Sequence, residues 1–226
     1  MPNYLALPMP ENPDAAKSYR VKELFLTLQG EGARTGRAAV FCRFSGCNLW
    51  SGRPEDRDRA ACRFCDTDFI GTDGQGGGEF PAPKLVVLAR KLWGDRPGVP
   101  YVVCTGGEPL QQLDSTLVAA FHDDGFEVAL ETNGTIPVPT SMELDWISVS
   151  PKAGTRIAQR WGDELKVVVP QEHDWDELER WDFPNRFVQP MDGPEKDHNT
   201  SLAIAFCLSR PQWRLSLQTH KLLGIA

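Results

Sequence analysis

The sequence predicts an α/β protein whose sheet of about six mostly parallel strands curls into a partial, open barrel. Short apolar segments alternate with helix-like segments from residue 83 onwards, which is the pattern of β/α units. Several strand-like segments follow one another with little room for a helix between them. Right-handed crossovers between such units curl the sheet instead of leaving it flat. The length of 226 residues suits one domain, so we expect residues 1–226 to form a single unit.

The part of the chain before residue 83 predicts an arm, two apolar segments and two loops. Residues 1–17 hold four prolines and few core-forming residues, which predicts a ragged N-terminal arm. VKELFLTLQGEG (Val21–Gly32) starts apolar and ends in a glycine-rich turn, and AAVFCRF (Ala38–Phe44) has the composition of a strand. A cysteine-rich loop follows. The glycines of Gly71–Phe80 then predict a flexible connection.

The rest of the chain alternates between predicted helices and strands. The helices are expected at Pro83–Trp93, Pro109–Asp124, Trp175–Trp181 and His198–Leu208. The strands are expected at Tyr101–Gly107, Glu127–Gly134, Asp145–Pro151, Glu164–Pro170, Arg186–Met191 and Trp213–His220. Functional groups of such barrels gather at the carboxyl ends of the strands. Polar clusters stand at four of these ends, and we expect them to converge on one mouth: Thr105–Glu108, Glu131–Gly134, Ser148–Lys152 and Gln189–Met191.

The composition is that of a globular protein with a net charge of −7. Because nucleic-acid-binding proteins normally carry a basic face, this charge argues against a nucleic-acid partner. No apolar run is long enough to cross a bilayer, and the proline-rich start does not resemble a signal peptide. We therefore expect a cytoplasmic protein with no membrane partner. Clustered cysteines in a reducing compartment more often bind metal or perform chemistry than form disulfides.

Three of the six cysteines form a metal-binding pattern. Cys47, Cys62 and Cys65 have the spacing C-x14-C-x2-C, and the x2 pair chelates one metal centre easily. A structural zinc ion has four ligands, and these cysteines supply three. The four histidines show no zinc-like spacing to them. Three cysteines on a [4Fe–4S] cluster would leave one iron open for a ligand. Spacing alone does not separate zinc from iron–sulfur. The other three cysteines are expected to be core residues: Cys42, Cys104 and Cys207.

A second motif, TGGEP at 105–109, follows an apolar strand and opens a helix. Its two glycines allow a ligand to approach the backbone closely, and Glu108 offers a carboxylate to a ligand ammonium. A tight turn with a solvated acid is the simpler interpretation of this motif alone. A three-cysteine cluster upstream of strand-Gly-Gly-Glu-Pro is more specific, and it resembles the radical S-adenosylmethionine (SAM) superfamily.

The resemblance narrows to the 7-carboxy-7-deazaguanine synthase family. Its blocks occur here in order from about residue 22 to the end of the chain: ELFLTLQGEG, FCRFSGCNLW, CDTDF, TGGEPLQQ, ETNGT, SPK, ELKVVV, FVQPMDG and LQTHKLLGIA. The usual superfamily spacing is C-x3-C-x2-C, so residues 48–61 form an inserted cluster loop. Some members of the family carry such a loop. The resemblance implies a single radical SAM domain.

The resemblance also implies a reaction and its cofactors. A [4Fe–4S] cluster on the three cysteines passes one electron to SAM, which cleaves to methionine and a 5′-deoxyadenosyl radical. That radical takes a hydrogen from 6-carboxy-5,6,7,8-tetrahydropterin. The pterin ring then contracts, ammonia leaves, and 7-carboxy-7-deazaguanine forms as an intermediate of queuosine or 7-deazapurine biosynthesis. Mg²⁺, a reductant such as flavodoxin, and a homodimer are further expectations from the family.

Residue roles follow from the positions that match the family motifs. The substrate is expected to contact Leu28, Gln29, Gly30, Arg43, Thr105, Glu131 and the terminal Ala226. SAM is expected to contact Gly107, Glu108, Ser148, Val149, Ser150, Val188, Gln189, Pro190 and Met191. Arg43 alternates with its neighbours in the strand and so points away from them, towards an anion such as the substrate carboxylate or into a surface salt bridge.

Thr67 carries the expected magnesium role, since the family uses this hydroxyl on Mg²⁺. Without the resemblance, Asp66 and Asp68 would be the candidate ligands, or simply solvated acids. Lys166 is assigned either to SAM or to an ion pair, and His220 to a position near the terminal carboxylate. Two other functions remain open at this point: a glycyl-radical activating enzyme, and a non-catalytic zinc-stabilised binding module.

Overall fold

The computed structural model describes residues 17–225, so Ala226 and all but the last residue of the predicted N-terminal arm lie outside the described residues. The strands are β1 (Ser18–Leu28), β2 (Ala38–Phe44), β3 (Gly78–Pro81), β4 (Tyr101–Gly106), β5 (Glu127–Thr132), β6 (Trp146–Val149), β7 (Glu164–Val169), β8 (Asn185–Pro190) and β9 (Arg214–Leu215). The α-helices are α1 (Ala82–Trp93), α2 (Ser115–Asp123), α3 (Trp175–Glu179), α4 (Lys196–Ser209) and α5 (Thr219–Leu223). Short 3-10 helices cover Gly32–Arg34, Pro54–Arg59 and Pro109–Gln111.

All of these strands belong to one sheet with the order β3-β1-β2-β4-β5-β6-β7-β8-β9. β1 pairs antiparallel with β2 and β3, and every neighbouring pair from β2 to β9 is parallel. The two ends of the strand order, β3 and β9, are not paired with each other, so the barrel is open. The predicted fold class is confirmed, although the sheet has more strands than the sequence suggested.

The core lies between the sheet and the helices that cover it. Strand β4 is buried on both faces, as expected for a central parallel strand. Helix α1 turns an apolar stripe of Leu85, Val86, Ala89 and Trp93 towards the core, and this spacing of three to four residues keeps them on one face. In residues 17–225 no helix has the length and apolar character that a membrane span requires.

The helix predicted for Pro109–Asp124 is two separate elements. Pro109–Gln111 forms one 3-10 turn, and α2 starts only at Ser115. The Asp114 carboxylate accepts a hydrogen bond from the Leu117 amide at 3.1 Å, which is an N-cap that starts a new helix. The start of α2 is therefore set by a capping residue and not by the proline.

Two other predicted segments differ from the structure. The last strand, expected over Trp213–His220, is only the two-residue β9, and residues 219–223 turn into α5 instead. The connection predicted for Gly71–Phe80 contributes its last residues to β3, which pairs with β1 through main-chain contacts such as Tyr19 with Phe80. A glycine-rich composition hid this strand because main-chain pairing with an antiparallel neighbour does not depend on side-chain type.

Candidate active site

A cavity of about 460 Å³ lies where the β1–β2 turn, the cysteine loop, several strand ends and the C-terminal segment meet. The structure thus brings together residues that the sequence predicted to form one mouth. The predicted site residues that line it are Leu28, Gln29, Gly30, Arg43, Cys47, Cys62, Cys65, Thr67, Thr105, Gly107, Glu131, Ser148, Ser150, Gln189, Pro190 and Met191. Lys166 and His220 line it as well.

Three predicted site residues do not face this cavity. Val149 and Val188 are fully buried in the hydrophobic core, because alternate residues of a strand point to opposite faces. Glu108 is also fully buried. Its carboxylate accepts hydrogen bonds from the Asn133 amide at 2.9 Å and from the Thr132 hydroxyl, so it braces the end of β5. The expectation that Glu108 presents its carboxylate to a ligand ammonium is corrected accordingly.

The glycine turn that precedes Glu108 lies against another segment of the protein, whereas the close approach of a ligand stays a prediction. Gly106 has a φ of +118°, which side-chain-bearing residues rarely adopt. A Cβ on Gly107 would lie 1.8 Å from the Gly46 carbonyl oxygen and 3.1 Å from the Cβ of Cys47. Gly107 is therefore required for the backbone of the Gly-Gly turn to lie directly against the segment that carries the first cysteine.

The three cysteines of the pattern all line the cavity. Cys47 follows β2 and accepts a hydrogen bond at its sulfur from the Leu49 amide at 3.4 Å. Burial raises the pKa of the Cys47 thiol, whereas a hydrogen bond from the Cys62 thiol lowers the pKa of Cys65. Cys42 and Cys104 are fully buried in the core, as the sequence predicted, and Cys207 packs against the core from α4.

The donor set is of the kind that holds an iron–sulfur cluster. Within residues 17–225, no three His, Cys, Asp or Glu side chains stand close enough together to hold one metal ion. Cysteine thiolates hold such clusters. Cys47, Cys62 and Cys65 line the same cavity, and the Cys62 and Cys65 thiols are hydrogen-bonded to each other.

The inserted loop, residues 48–61, folds away from the cavity, with only Leu49 on its wall. Its ends are joined by backbone hydrogen bonds from the Ala61 and Cys62 amides to the Leu49 carbonyl, at 3.0 and 3.3 Å. Arg57 fixes its interior. The guanidinium group lies 4.0 Å from the ring centroid of Trp50 and donates to the carbonyl of Cys65 at 3.1 Å. The loop is therefore a closed side structure that leaves the cysteines facing the cavity.

A network of polar side chains forms another part of the cavity wall. Glu131 accepts a hydrogen bond from Gln29 at 2.9 Å and one from Thr105 at 3.0 Å. Lys166 donates to Glu31 and lies 3.9 Å from Glu131. These residues come from β1 and its turn, β4, β5 and β7, so the network joins the strand ends to one another.

Glu31 is a residue that the sequence analysis missed. Its side chain accepts from Lys166 and from Gln218 Nε2 at 3.0 Å. Burial alone would raise its pKa, but the Lys166 ammonium overcomes this and holds the pKa of Glu31 at about 2. Burial would lower the pKa of Lys166, and the surrounding carboxylates raise it instead. An acid inside a glycine-rich turn, QGEG, was the only sequence signal for this pair.

Arg43 lies on the cavity wall, on the side of β2 opposite to Cys42 and Phe44. Its Nε atom is 3.0 Å from a carboxylate oxygen of Glu23. The structure thus combines two features that the sequence analysis treated as alternatives, a salt bridge and a position facing a potential ligand. Glu23 engages Nε and holds the guanidinium on the wall.

The acids beside Thr67 are already engaged by lysines. Lys22 lies 2.9 Å from Asp68, and Lys221 forms an ion pair with Asp66. Thr67 therefore lines the cavity between two carboxylates that both have cationic partners.

The C-terminal segment closes the cavity over the β1 turn. Thr219 donates to the Gly30 carbonyl through both its amide and its hydroxyl, at 2.9 Å each. A Cβ on Gly30 would lie 2.1 Å from Nδ1 of His220, so this glycine allows the histidine to lie against the turn. Burial lowers the pKa of His220. Gln218, Lys221 and Ile225 complete the wall on this side.

Lys152 is a further cavity residue to which the sequence analysis gave no role, although it lies in the SPK motif. Its ammonium donates to the carbonyl and to the hydroxyl of Ser150, both at 2.8 Å. Burial lowers its pKa.

An open α/β barrel with a polar cavity at the carboxyl ends of its parallel strands defines an enzyme that acts on a small molecule. Similarity to known proteins narrows this class. The chain is 58% identical over 210 residues to the 7-carboxy-7-deazaguanine synthase of Caulobacter vibrioides, covering 92% of this chain and 99% of that one. The synthase of Burkholderia multivorans is also 58% identical over 210 residues, with the same coverage. The synthase of Nitratidesulfovibrio vulgaris is 54% identical over 216 residues, again with 92% and 99% covered.

The fold agrees with a solved structure, the crystal structure of QueE from Escherichia coli, with a TM-score of 0.65 and 26% identity over 88% of this chain and 93% of that one. No family model matches the chain. On the relatives and the fold together, the chain belongs to the 7-carboxy-7-deazaguanine synthase family and is an enzyme of the radical SAM type. The family resemblance found from the cysteine spacing and the ordered motifs is thereby confirmed.

Proposed function

We propose that this protein contracts the ring of 6-carboxy-5,6,7,8-tetrahydropterin to form 7-carboxy-7-deazaguanine, with loss of ammonia, for queuosine or related 7-deazapurine biosynthesis. The observation that carries the proposal is the cavity itself. It holds the three cysteines and the hydrogen-bonded group around Glu131 within about 460 Å³, a volume suited to a small molecule beside a cofactor. Membership of the synthase family supports the same reaction.

In this proposal Cys47, Cys62 and Cys65 would hold a [4Fe–4S] cluster in the cavity where SAM would also bind. The cluster and SAM together supply radical chemistry when bound. The protein's own contribution is to bind, orient and exclude water. The backbone of Gly107 lies against the Cys47 segment. The residues proposed to cradle SAM all line the cavity: Ser148, Ser150, Gln189, Pro190 and Met191.

The substrate would lie between the β1 turn and the carboxylate network. Glu131 accepts hydrogen bonds from Gln29 and Thr105 in the free protein, so its oxygens are oriented to accept from the guanidine-like edge of a pterin. Leu28 and Gly30 would offer backbone groups to the same ring. Arg43 would hold the substrate carboxylate with the guanidinium nitrogens that Glu23 leaves free.

Further parts of the proposal rest on the family. Thr67 would place its hydroxyl on Mg²⁺, which commonly keeps waters and takes few protein ligands. Ala226 would bring the terminal carboxylate towards the substrate from next to Ile225, which lines the cavity. We also infer a cytoplasmic enzyme that works as a single domain and a homodimer, with a reductant such as flavodoxin supplying the electron.

Anaerobic purification followed by turnover tests this function. With SAM, a reductant and the carboxy-tetrahydropterin, the brown iron–sulfur protein should form a product with the mass of 7-carboxy-7-deazaguanine. SAM cleavage without that product would favour an activating enzyme for a glycyl radical. A colourless, zinc-loaded protein would favour a binding module and would overturn the proposal.

A further inference from the structure

Three lysines line the cavity, and two of them, Lys166 and Lys221, form ion pairs with carboxylates. Lys166, whose side chain is 6% exposed, forms an ion pair with Glu31 and lies close to Glu131. Lys152 forms no ion pair with any carboxylate among residues 17–225. Its ammonium donates only to two neutral oxygens of Ser150. The positive charge of Lys152 is therefore left without a close negative partner from the described part of the chain.

Lys152 stands on the cysteine side of the cavity. Its Nζ atom lies 5.8 Å from the ring centroid of Phe64, the residue between Cys62 and Cys65 in the sequence. Cys62, Phe64, Cys65 and Lys152 all line the same cavity. The Ser150 oxygens accept from the ammonium on one side, and this anchors it in a fixed position beside the thiols.

A fixed positive charge near a redox centre stabilises the form that carries one more electron. The effect is strong in a partly buried site, because a protein interior screens charge less than water does. Net charge and burial are among the factors by which proteins set the potentials of iron–sulfur clusters. A cation left uncompensated beside cluster thiolates is thus placed to make the cluster easier to reduce.

We propose that the positive charge of Lys152 raises the reduction potential of the iron–sulfur cluster held by Cys47, Cys62 and Cys65. The inference rests on the proposed function, since it requires that these cysteines hold such a cluster. It assigns to Lys152 an electrostatic action on the cluster that is present before SAM binds. A role limited to binding an anionic group of SAM is the competing explanation.

An EPR-monitored redox titration of the reconstituted enzyme without SAM tests the inference. The variants are Lys152→Met, which removes the charge, and Lys152→Arg, which keeps it. Lys84→Met is the matched control, since Lys84 is exposed on α1 and its loss changes the net charge by the same amount. We expect Lys152→Met to lower the equilibrium constant for reduction at least tenfold, about 59 mV for a one-electron couple. Lys152→Arg and Lys84→Met should stay near the wild-type potential.

A wild-type potential in a Lys152→Met enzyme with a full cluster would overturn the inference, and weaker SAM binding in that variant would then assign Lys152 to SAM. If Lys152→Met does not hold a cluster, Lys152→Gln is titrated in its place. If both neutral variants lose the cluster, a Lys152→Arg enzyme that keeps the cluster at the wild-type potential supports the electrostatic role of Lys152. A Lys152→Arg enzyme that also loses the cluster overturns the inference. A wild-type protein that binds no iron–sulfur cluster would instead contradict the proposed function.

Discussion

The two sides of the cavity differ in whether their charged and polar groups find partners within the protein itself. On the carboxylate side, Lys166 pairs with both Glu31 and Glu131, and Gln29 and Thr105 supply further hydrogen bonds to Glu131. On the cysteine side, three thiols face a common space and a lysine has no ion-pair partner among the described residues. The first side is organised by the fold, whereas the second would be completed by the proposed cluster. In the proposed function, the substrate region is thus ordered before the cofactor is loaded.

Removing a cysteine should have the largest effect, because the cysteine side depends on the bound group. We expect Cys65→Ala to lose iron, sulfide and all product formation, since a cluster held by two thiolates is poorly retained. Cys207→Ala is the matched control on α4, and it should keep both. Iron and sulfide per chain, with product scored by mass, are the measurements. Full iron content in Cys65→Ala would show that the two sides do not differ in this way.

Disrupting the ion pairs on the carboxylate side should instead lower the free energy of unfolding. Lys166→Met removes the ammonium partner of Glu31, whose side chain is only 16% exposed, so we expect a loss of about 3–5 kcal/mol in the free energy of unfolding. Lys221→Met is the comparison, because Lys221 bridges Asp66 and Asp192 with its side chain 29% exposed. Its loss should cost no more than about 1 kcal/mol. Urea unfolding of the cluster-free proteins measures both, and equal losses would contradict the comparison.

The smallest expected effect is a loss of folding stability at low pH. The pKa of Glu31 is lowered from 4.5 to about 2 in the folded protein, so its stabilisation is complete above pH 4.5 and is lost as the pH falls towards 2. Lys166 stays charged throughout this range. Between pH 7 and pH 3 the wild type should lose about 2 kcal/mol more than Glu31→Gln does.

The exposed Glu55 provides the control for this acid effect. Glu55→Gln should lose as much stability as the wild type over the same range, because its carboxylate makes no buried pair. Urea unfolding at several pH values follows all three proteins. An equal fall in wild type and Glu31→Gln would show that the buried pair does not contribute in this way.

Local patterns in the sequence predicted most of the fold. The β2 strand was predicted to the residue, since AAVFCRF is a compact apolar run next to a clear loop. The break before α2 was missed because it depends on one capping contact of Asp114. Helix α5 was missed because its contacts to Gly30 are distant in the sequence.

The candidate site was predicted where motifs are contiguous and missed where partners are remote. The cysteine pattern, Arg43 and Thr105 all line the cavity as expected. The pair of Glu31 and Lys166 spans 135 residues, and no single motif contains both. Within the strand-end motifs, the alternation of side chains decides which members reach the cavity, and the family motifs alone did not distinguish Ser148 from Val149.

The loop over residues 48–61 is closed at its base, so its length does not determine where the cysteine sulfurs lie. Because the Ala61 and Cys62 amides both return to the Leu49 carbonyl, residues added or removed beyond that point leave the ends where they are. The entropic penalty of a longer loop grows only with the logarithm of its length. Enzymes with the same three thiols in space can therefore differ freely in the interval between the first two, and a search that fixes this interval would overlook them.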